Sequence, residues 1–354
     1  MNPSDLIPAA DAIPVHWLWF KVLLVLTFVL HILFMNVLLG GAILSFWGNL
    51  RQGPGNDFGS DFSRRLPVVT AMTINLGVAP LLFLQVIYGN FIYVSSVLGA
   101  VYWLSVFVLL IIAYYGLYIY LDKYEALQGA RILVSGLIAV CLLLVTFFFV
   151  NNMTMMDLPK QWLAYFDNPN GTIINWGDPT LIPRYLHFVV ASVAVAGLFT
   201  AIVAQIRRSK DPGAAEARIK QGMQYFAWGT VVQIFIGLWL LISLQREVLL
   251  LFMGGGAYAT VLFILSLAVI AGTLIAAFKG MVWPTVFGLV VAVSGMALIR
   301  DLVRDAYLEP YQSLSGLKVV SQVSPLILFL TTFVVGLVIV GYMFKIYFSA
   351  EKVG

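Results

Sequence analysis

The stretch from Trp17 to Leu50 is apolar at nearly every position, and about 20 such residues suffice for a helix to cross a bilayer. No water is present in the hydrocarbon to bond free N–H and C=O groups, so a run of this kind folds as a helix. Eight further runs of spanning length lie at about 67–97, 99–121, 131–151, 181–206, 222–245, 256–278, 281–300 and 323–348, each bounded by charge, Pro or Gly. The pattern predicts an all-α integral membrane protein, a bundle of about nine transmembrane helices. With 61% hydrophobic and 10% charged residues the chain is no ordinary soluble protein, whose charged fraction is near a quarter. No repeat is apparent and no linker is long enough to separate two units, so a single transmembrane domain over 1–354 is expected.

Orientation follows from where the basic residues fall. Counted on alternate sides of the predicted helices, thirteen Lys and Arg lie on one side: Arg51, Arg64, Arg65, Lys123, Arg131, Arg207, Arg208, Lys210, Arg218, Lys220, Lys279, Lys345 and Lys352. Six lie on the other, Lys160, Arg184, Arg246, Arg300, Arg304 and Lys318, and Lys21 is left inside the first helix. The positive-inside rule then puts the N-terminus outside and the C-terminus in the cytoplasm, as expected for a multi-pass protein of a bacterial inner membrane. The basic loop at Arg207, Arg208 and Lys210 needs no function beyond orientation, and no nucleic-acid partner is expected. The first fifteen residues hold Asp5 and Asp11 and no Lys or Arg, unlike the basic start of a signal peptide. The stretch from Asn151 to Pro183, with Trp162, Tyr165 and Trp176, reads as an interfacial cap or docking surface on the outer side.

Three histidines carry the functional question. His31 has about fourteen apolar-run residues before it and nineteen after, so it lies deep in the first helix. Ionisable side chains at such depth face the bundle interior, where they pair or ligate; a neutral histidine bonded to a neighbouring helix is the other reading. His16 sits at the outer mouth of the same helix, and His187 lies about two turns into the fifth. His16 and His31 are roughly 22 Å apart along a helix and cannot share one iron. Neutral imidazole is an axial ligand for b-type haem, with a second His or a Met opposite. Met253 is the outer-side thioether candidate, or simple apolar filler. Arg184, three residues before His187, and Arg300 and Arg304, one turn apart, are cations available to haem propionates. Asp301 and Asp305 follow the last two in the same rhythm, so an ion-pair cluster competes. The one cysteine, Cys141, excludes covalent haem c in this chain, since that attachment needs Cys-x-x-Cys-His.

In order and spacing these features resemble subunit I of the cytochrome bd quinol oxidases. His31 matches that family's first-helix haem histidine. Asn75-Leu-Gly77-Val78-Ala79-Pro80, closing with Tyr88-Gly89, is similar to its second-helix Gly-Val-Ala-Thr-Gly stretch. Arg184-Tyr185-Leu186-His187, followed by Ala191-Ser192, resembles the segment carrying the ligand of its low-spin b haem, and Arg304-Asp-Ala-Tyr307 resembles the end of its eighth helix. The departures are equally specific. Tyr102 to Leu121 contains no acidic residue where the family's third helix holds two glutamates, and a further glutamate position falls near Ser294. The quinol-binding loop is cut to about ten residues around Arg246-Glu247 and Gly254-Gly255-Gly256.

The resemblance therefore implies a relative retained for electron transfer rather than oxygen reduction. It implies a subunit with one or two b haems, moving electrons between the quinone pool and an outer-side c-type cytochrome within a complex of several membrane subunits. His187 would ligate the low-spin haem opposite Met253 or His16, and His31 a second haem. Arg246 and Glu247 are candidate quinone contacts, with an interfacial ion pair as the competing reading. An oxygen-reducing quinol oxidase subunit and a haem-free anchor or transporter are the alternatives. The orientation is tested in a Cys141→Ala background: a membrane-impermeant maleimide added to intact cells is expected to label Asn168→Cys and to spare Arg208→Cys.

Overall fold

The computed structural model describes residues 3–51, 58–209 and 211–350. Lys210 and Lys352, counted above among the basic residues, lie outside them. Among the described residues nine helices are long and apolar enough to cross a membrane. They are α1 (Trp17–Leu50), α2 (Leu66–Leu98), α3 (Ala100–Asp122), α4 (Arg131–Asp157), α5 (Leu181–Ile206), α6 (Pro212–Ile242), α7 (Ala257–Phe278), α8 (Val282–Leu308) and α9 (Val323–Ala350). The chain is thus an all-α, multi-pass membrane protein.

Three helices run well past the apolar stretches that predict them: α4 continues to Asp157, α6 begins at Pro212 and α8 ends at Leu308. The extensions are polar, and a helix needs apolar side chains only where lipid surrounds it. Asp211 caps the start of α6, its side chain accepting from the Ala214 N–H at 3.1 Å. The extensions of α4 and α8 hold Asp157, Asp301, Arg304 and Asp305, the residues on which the site below depends.

The hub is α1, which packs against α2, α4, α5 and α8. Lipid tails are as apolar as leucine, so helices in a membrane associate through close packing rather than through exclusion of water. Small residues make that approach possible. A Cβ on Gly40 of α1 would lie 1.9 Å from the Ser192 carbonyl oxygen of α5, and one on Gly222 of α6 would lie 2.5 Å from the Gly197 carbonyl oxygen of α5. The fifth helix is thereby clamped, backbone to backbone, between α1 and α6. Helix α9 differs from the rest, since none of its central span is buried within the chain.

The segment after α4 closes one end of the bundle. Trp162, in the stretch read above as an interfacial cap or docking surface, is a core residue at 1% exposure, its Nε1 donating to the Met155 carbonyl at 2.8 Å. The physical reason is that an indole can be fully buried once its single N–H has a partner. Tyr165 and Trp176 do face outward. At the same end Ile13 pairs with the 318–320 segment through two backbone hydrogen bonds of 2.9 Å.

The α1–α5 contact gives a prediction. Gly40→Ala places a methyl group against backbone that cannot rotate away, and overpacking of this kind costs about 1–3 kcal/mol. The expected result is a lower Tm in detergent, whereas Gly336→Ala on α9, where nothing lies within 4 Å, leaves Tm unchanged.

Candidate functional site

His31 projects from α1 onto α2. Its Nδ1 lies 3.0 Å from the Thr73 carbonyl, and a Cβ on Gly77 would come within 2.8 Å of its Cε1. A carbonyl oxygen only accepts, so Nδ1 is the donating nitrogen and the lone pair sits on Nε2. This is the arrangement in which a second-shell carbonyl orients a ligating imidazole. Gly77, in the second-helix motif, is there because the ring lies against the α2 backbone.

His187 faces α6. Gly237 lies beside its ring, with a built Cβ 3.5 Å from Cε1, and the Gln233 side chain one turn earlier donates Nε2 to the His187 carbonyl at 2.8 Å. Neither ring nitrogen has a hydrogen-bond partner among the described residues, and Nδ1 is fully buried. The Gln233 Oε1 beside it is likewise buried and unbonded. Such groups are uncommon in folded proteins, because an unmade bond in a dry site costs about 1–3 kcal/mol.

The Gly40–Ser192 contact sets the relative depth of the three histidines. Counting 1.5 Å per residue from that level, His31 and His187 differ by roughly 6 Å along the bundle axis, and His16 and His187 by roughly 28 Å. The first two also point into different helix pairs, α1/α2 and α5/α6, so the fold gives them separate surroundings. His16 is exposed at the α1 N-cap, its Nδ1 accepting from the Leu18 N–H at 3.3 Å, and the separation corrects its expected place opposite His187. Capping residues sit at helix ends, whereas His187 is two turns inside one. Met253 lies in a π-type turn, Leu251–Gly255, which Gly254 closes at φ +107°. Its side chain is 50% exposed while that of Phe252 is buried.

Beyond the histidines, towards the His16 end, a buried ion cluster ties five helices together. Asp157 of α4 lies 3.3 Å from Arg184 of α5 and 3.9 Å from Arg304 of α8. Arg304 also reaches Asp301 at 3.5 Å, and Lys21 of α1 pairs with Asp301 at 2.7 Å and with Asp305. Tyr88 donates its hydroxyl to Asp305 at 2.5 Å from the point where α2 leaves helical geometry, at φ −129° and ψ 26°. Arg184 also donates to Thr180 at 3.4 Å. Arg300 stands apart: its guanidinium lies 4.8 Å over the Phe28 ring, and among the described residues no carboxylate lies within 4 Å of it.

Of the competing expectations for these arginines, Arg184 and Arg304 are therefore in ion pairs and Arg300 is not. Lys21, Asp157, Thr73 and Gln233 belong to these surroundings and were not singled out in the sequence. Lys21 and Asp157 carry a visible signal, a charge one turn inside a spanning helix and a charge at the end of another. Arg246 and Glu247, on the short helix Arg246–Leu250, are both exposed, and neither forms an ion pair among the described residues. That helix is anchored by the Gln245 N–H donating to the Tyr307 hydroxyl at 3.2 Å.

The chain matches no protein-family model and no curated protein.

Asp157 is the hinge of the ion cluster, so its loss strands the buried Arg184 guanidinium and leaves Arg304 with Asp301. Removing one partner of a buried pair costs about 3–5 kcal/mol. Asp157→Asn is expected to lower Tm in detergent sharply, and the double variant with Arg184→Gln to be less damaged than the sum of the single changes.

Proposed function

We propose that this chain is a haem b-binding membrane subunit of a respiratory electron-transfer complex, passing electrons between the quinone pool and an outer-side c-type cytochrome. The observation that carries the reading is His187, an imidazole inside a spanning helix with no hydrogen-bond partner on either nitrogen among the described residues and a fully buried Nδ1. Among the described residues no three His, Cys, Asp or Glu side chains are grouped as a chelating set. Imidazoles placed singly suit a metal that brings its own equatorial ligands, and the donor set fits a porphyrin iron on that ground.

His187 and His31 are the ligands we assign, in two separate sites. Haem b supplies one-electron redox chemistry when bound, which lets a two-electron quinol be oxidised in single steps. Each imidazole fixes the depth of one site, and the Thr73 carbonyl holds the His31 ring in a single orientation. Arg300 is the cation best suited to neutralise a propionate, because among the described residues no carboxylate lies within 4 Å of it; Arg184 and Arg304 supply the surrounding positive potential. The exposed Arg246 and Glu247 at the same end of the bundle are the quinone contacts we favour. Tyr165 and Trp176, exposed on the cap, are where a c-type cytochrome or a sibling subunit would dock. This end would face outward in a bacterial inner membrane, as the charge distribution predicts.

The test is a dithionite-reduced minus oxidised spectrum of the purified protein, with a pyridine haemochrome assay. A b-type α-band is expected, from which His187→Ala and His31→Ala each remove a different component. A flat spectrum overturns the reading and favours a haem-free anchor or transporter.

A further inference from the structure

The opposite end of the bundle, where the charge distribution expects the cytoplasm, holds a second feature unconnected with the histidines. The short helix Phe58–Ser63, the last turns of α5 and the first turn of α6 enclose a cavity of about 550 Å³. Its floor is apolar, built on Phe62 and Phe199, whose rings stack at 6.2 Å, with Ala204 and Ala215 beside them. Its rim is charged: Arg65, Arg207 and Arg218 converge on it, with Asp61 and Asp211.

The carboxylates are already committed. Asp61 accepts from Arg218 Nη1 at 2.7 and 2.6 Å and lies 3.8 Å from Arg65, whose guanidinium also donates to the Asp61 carbonyl. Asp211 caps α6. Arg207, at the C-cap of α5, has no carboxylate within 4 Å among the described residues. Burial holds Arg65 below the ordinary arginine range; Asp61 opposes this, and the crowding of Arg207, Arg218 and Arg64 adds to it. A guanidinium fork matches the oxygens of a phosphate in shape and charge, and Arg207, with Arg65 and Arg218 adding positive charge beside an apolar floor, favours an anion with carbon attached. The cavity lies where spanning helices end, the depth of anionic headgroups on a cytoplasmic leaflet.

We infer that this cavity binds a phosphate-bearing group, the arginine rim taking the phosphate oxygens and the Phe62–Phe199 floor the adjoining carbon chain. A phospholipid headgroup and a soluble phosphate share that chemistry, and the experiment separates them.

The full chain is delipidated in detergent, and its Tm is followed against dioctanoylphosphatidylglycerol and, separately, inorganic phosphate, since a ligand of the folded state raises Tm by mass action. A saturable rise with the lipid, and none with phosphate, assigns a headgroup; a rise with phosphate alone assigns a soluble source. Either supports the site if Arg207→Gln weakens apparent affinity about tenfold, the worth of one charge-assisted hydrogen bond. Lys279→Gln, an exposed cation at the same end, is expected to leave it unchanged. Arg207 is exposed, so its substitution should leave the unliganded Tm unchanged. No saturable rise with either probe, or an equal loss in the Arg207 and Lys279 variants, overturns the proposal.

Discussion

The structure depends on how Asp157 is neutralised. Charge inside a spanning bundle cannot turn to water, and its desolvation is tolerated only when opposite charge and hydrogen bonds surround it. Asp157 at the end of α4 meets Arg184 at the start of α5 and Arg304 near the end of α8. Lys21 and Tyr88 extend the network into α1 and α2 through Asp301 and Asp305. Pairs of this kind add little net stability, but each fixes a distance between two helices. Five helices are held in register at one end by contacts that a slide of one helical turn would break.

Small residues set the same register at mid-depth. Where Gly40 meets Ser192 and Gly222 meets Gly197, backbones touch, and no side chain is present to accommodate a shift. With α5 fixed against α1, the depths of His31 and His187 follow, and so does the direction each faces. The separate surroundings of the two imidazoles are thus a consequence of packing that involves neither of them. At Gly77 against His31 and Gly237 against His187, small residues also make room for the candidate chemistry.

The helices were legible because apolar length has almost one meaning in a protein: nine runs were expected and nine long apolar helices are present among the described residues. Helix ends were less so. A charge ends an apolar run in the sequence but not a helix in space, which is why Asp157 and Arg304 fall beyond the predicted spans. Partner choice was not legible at all. Arg300 and Arg304 sit one turn apart with similar neighbours in sequence, yet Arg304 finds Asp157, 147 positions away, and Arg300 lies over the face of Phe28. The burial of Trp162 was not legible for the same reason, since an aromatic in a polar loop looks alike whether it faces solvent or closes a core.

The two ends of the bundle treat arginine in opposite ways, and the difference follows from what surrounds it. At the His16 end Arg184 and Arg304 are enclosed by helices and are matched by carboxylates on other helices, which leaves them rigid. At the other end Arg65 and Arg218 both pair with Asp61, and Arg207 at a helix terminus has no carboxylate within 4 Å among the described residues. A guanidinium that is buried must be paired within the chain, whereas one at the rim of an open cavity can be paired from outside it. Arg300 differs from both, partly buried over the Phe28 ring with no carboxylate within 4 Å among the described residues. A dielectric lower than that of water raises the cost of its charge and by the same physics strengthens its attraction for any anion brought beside it.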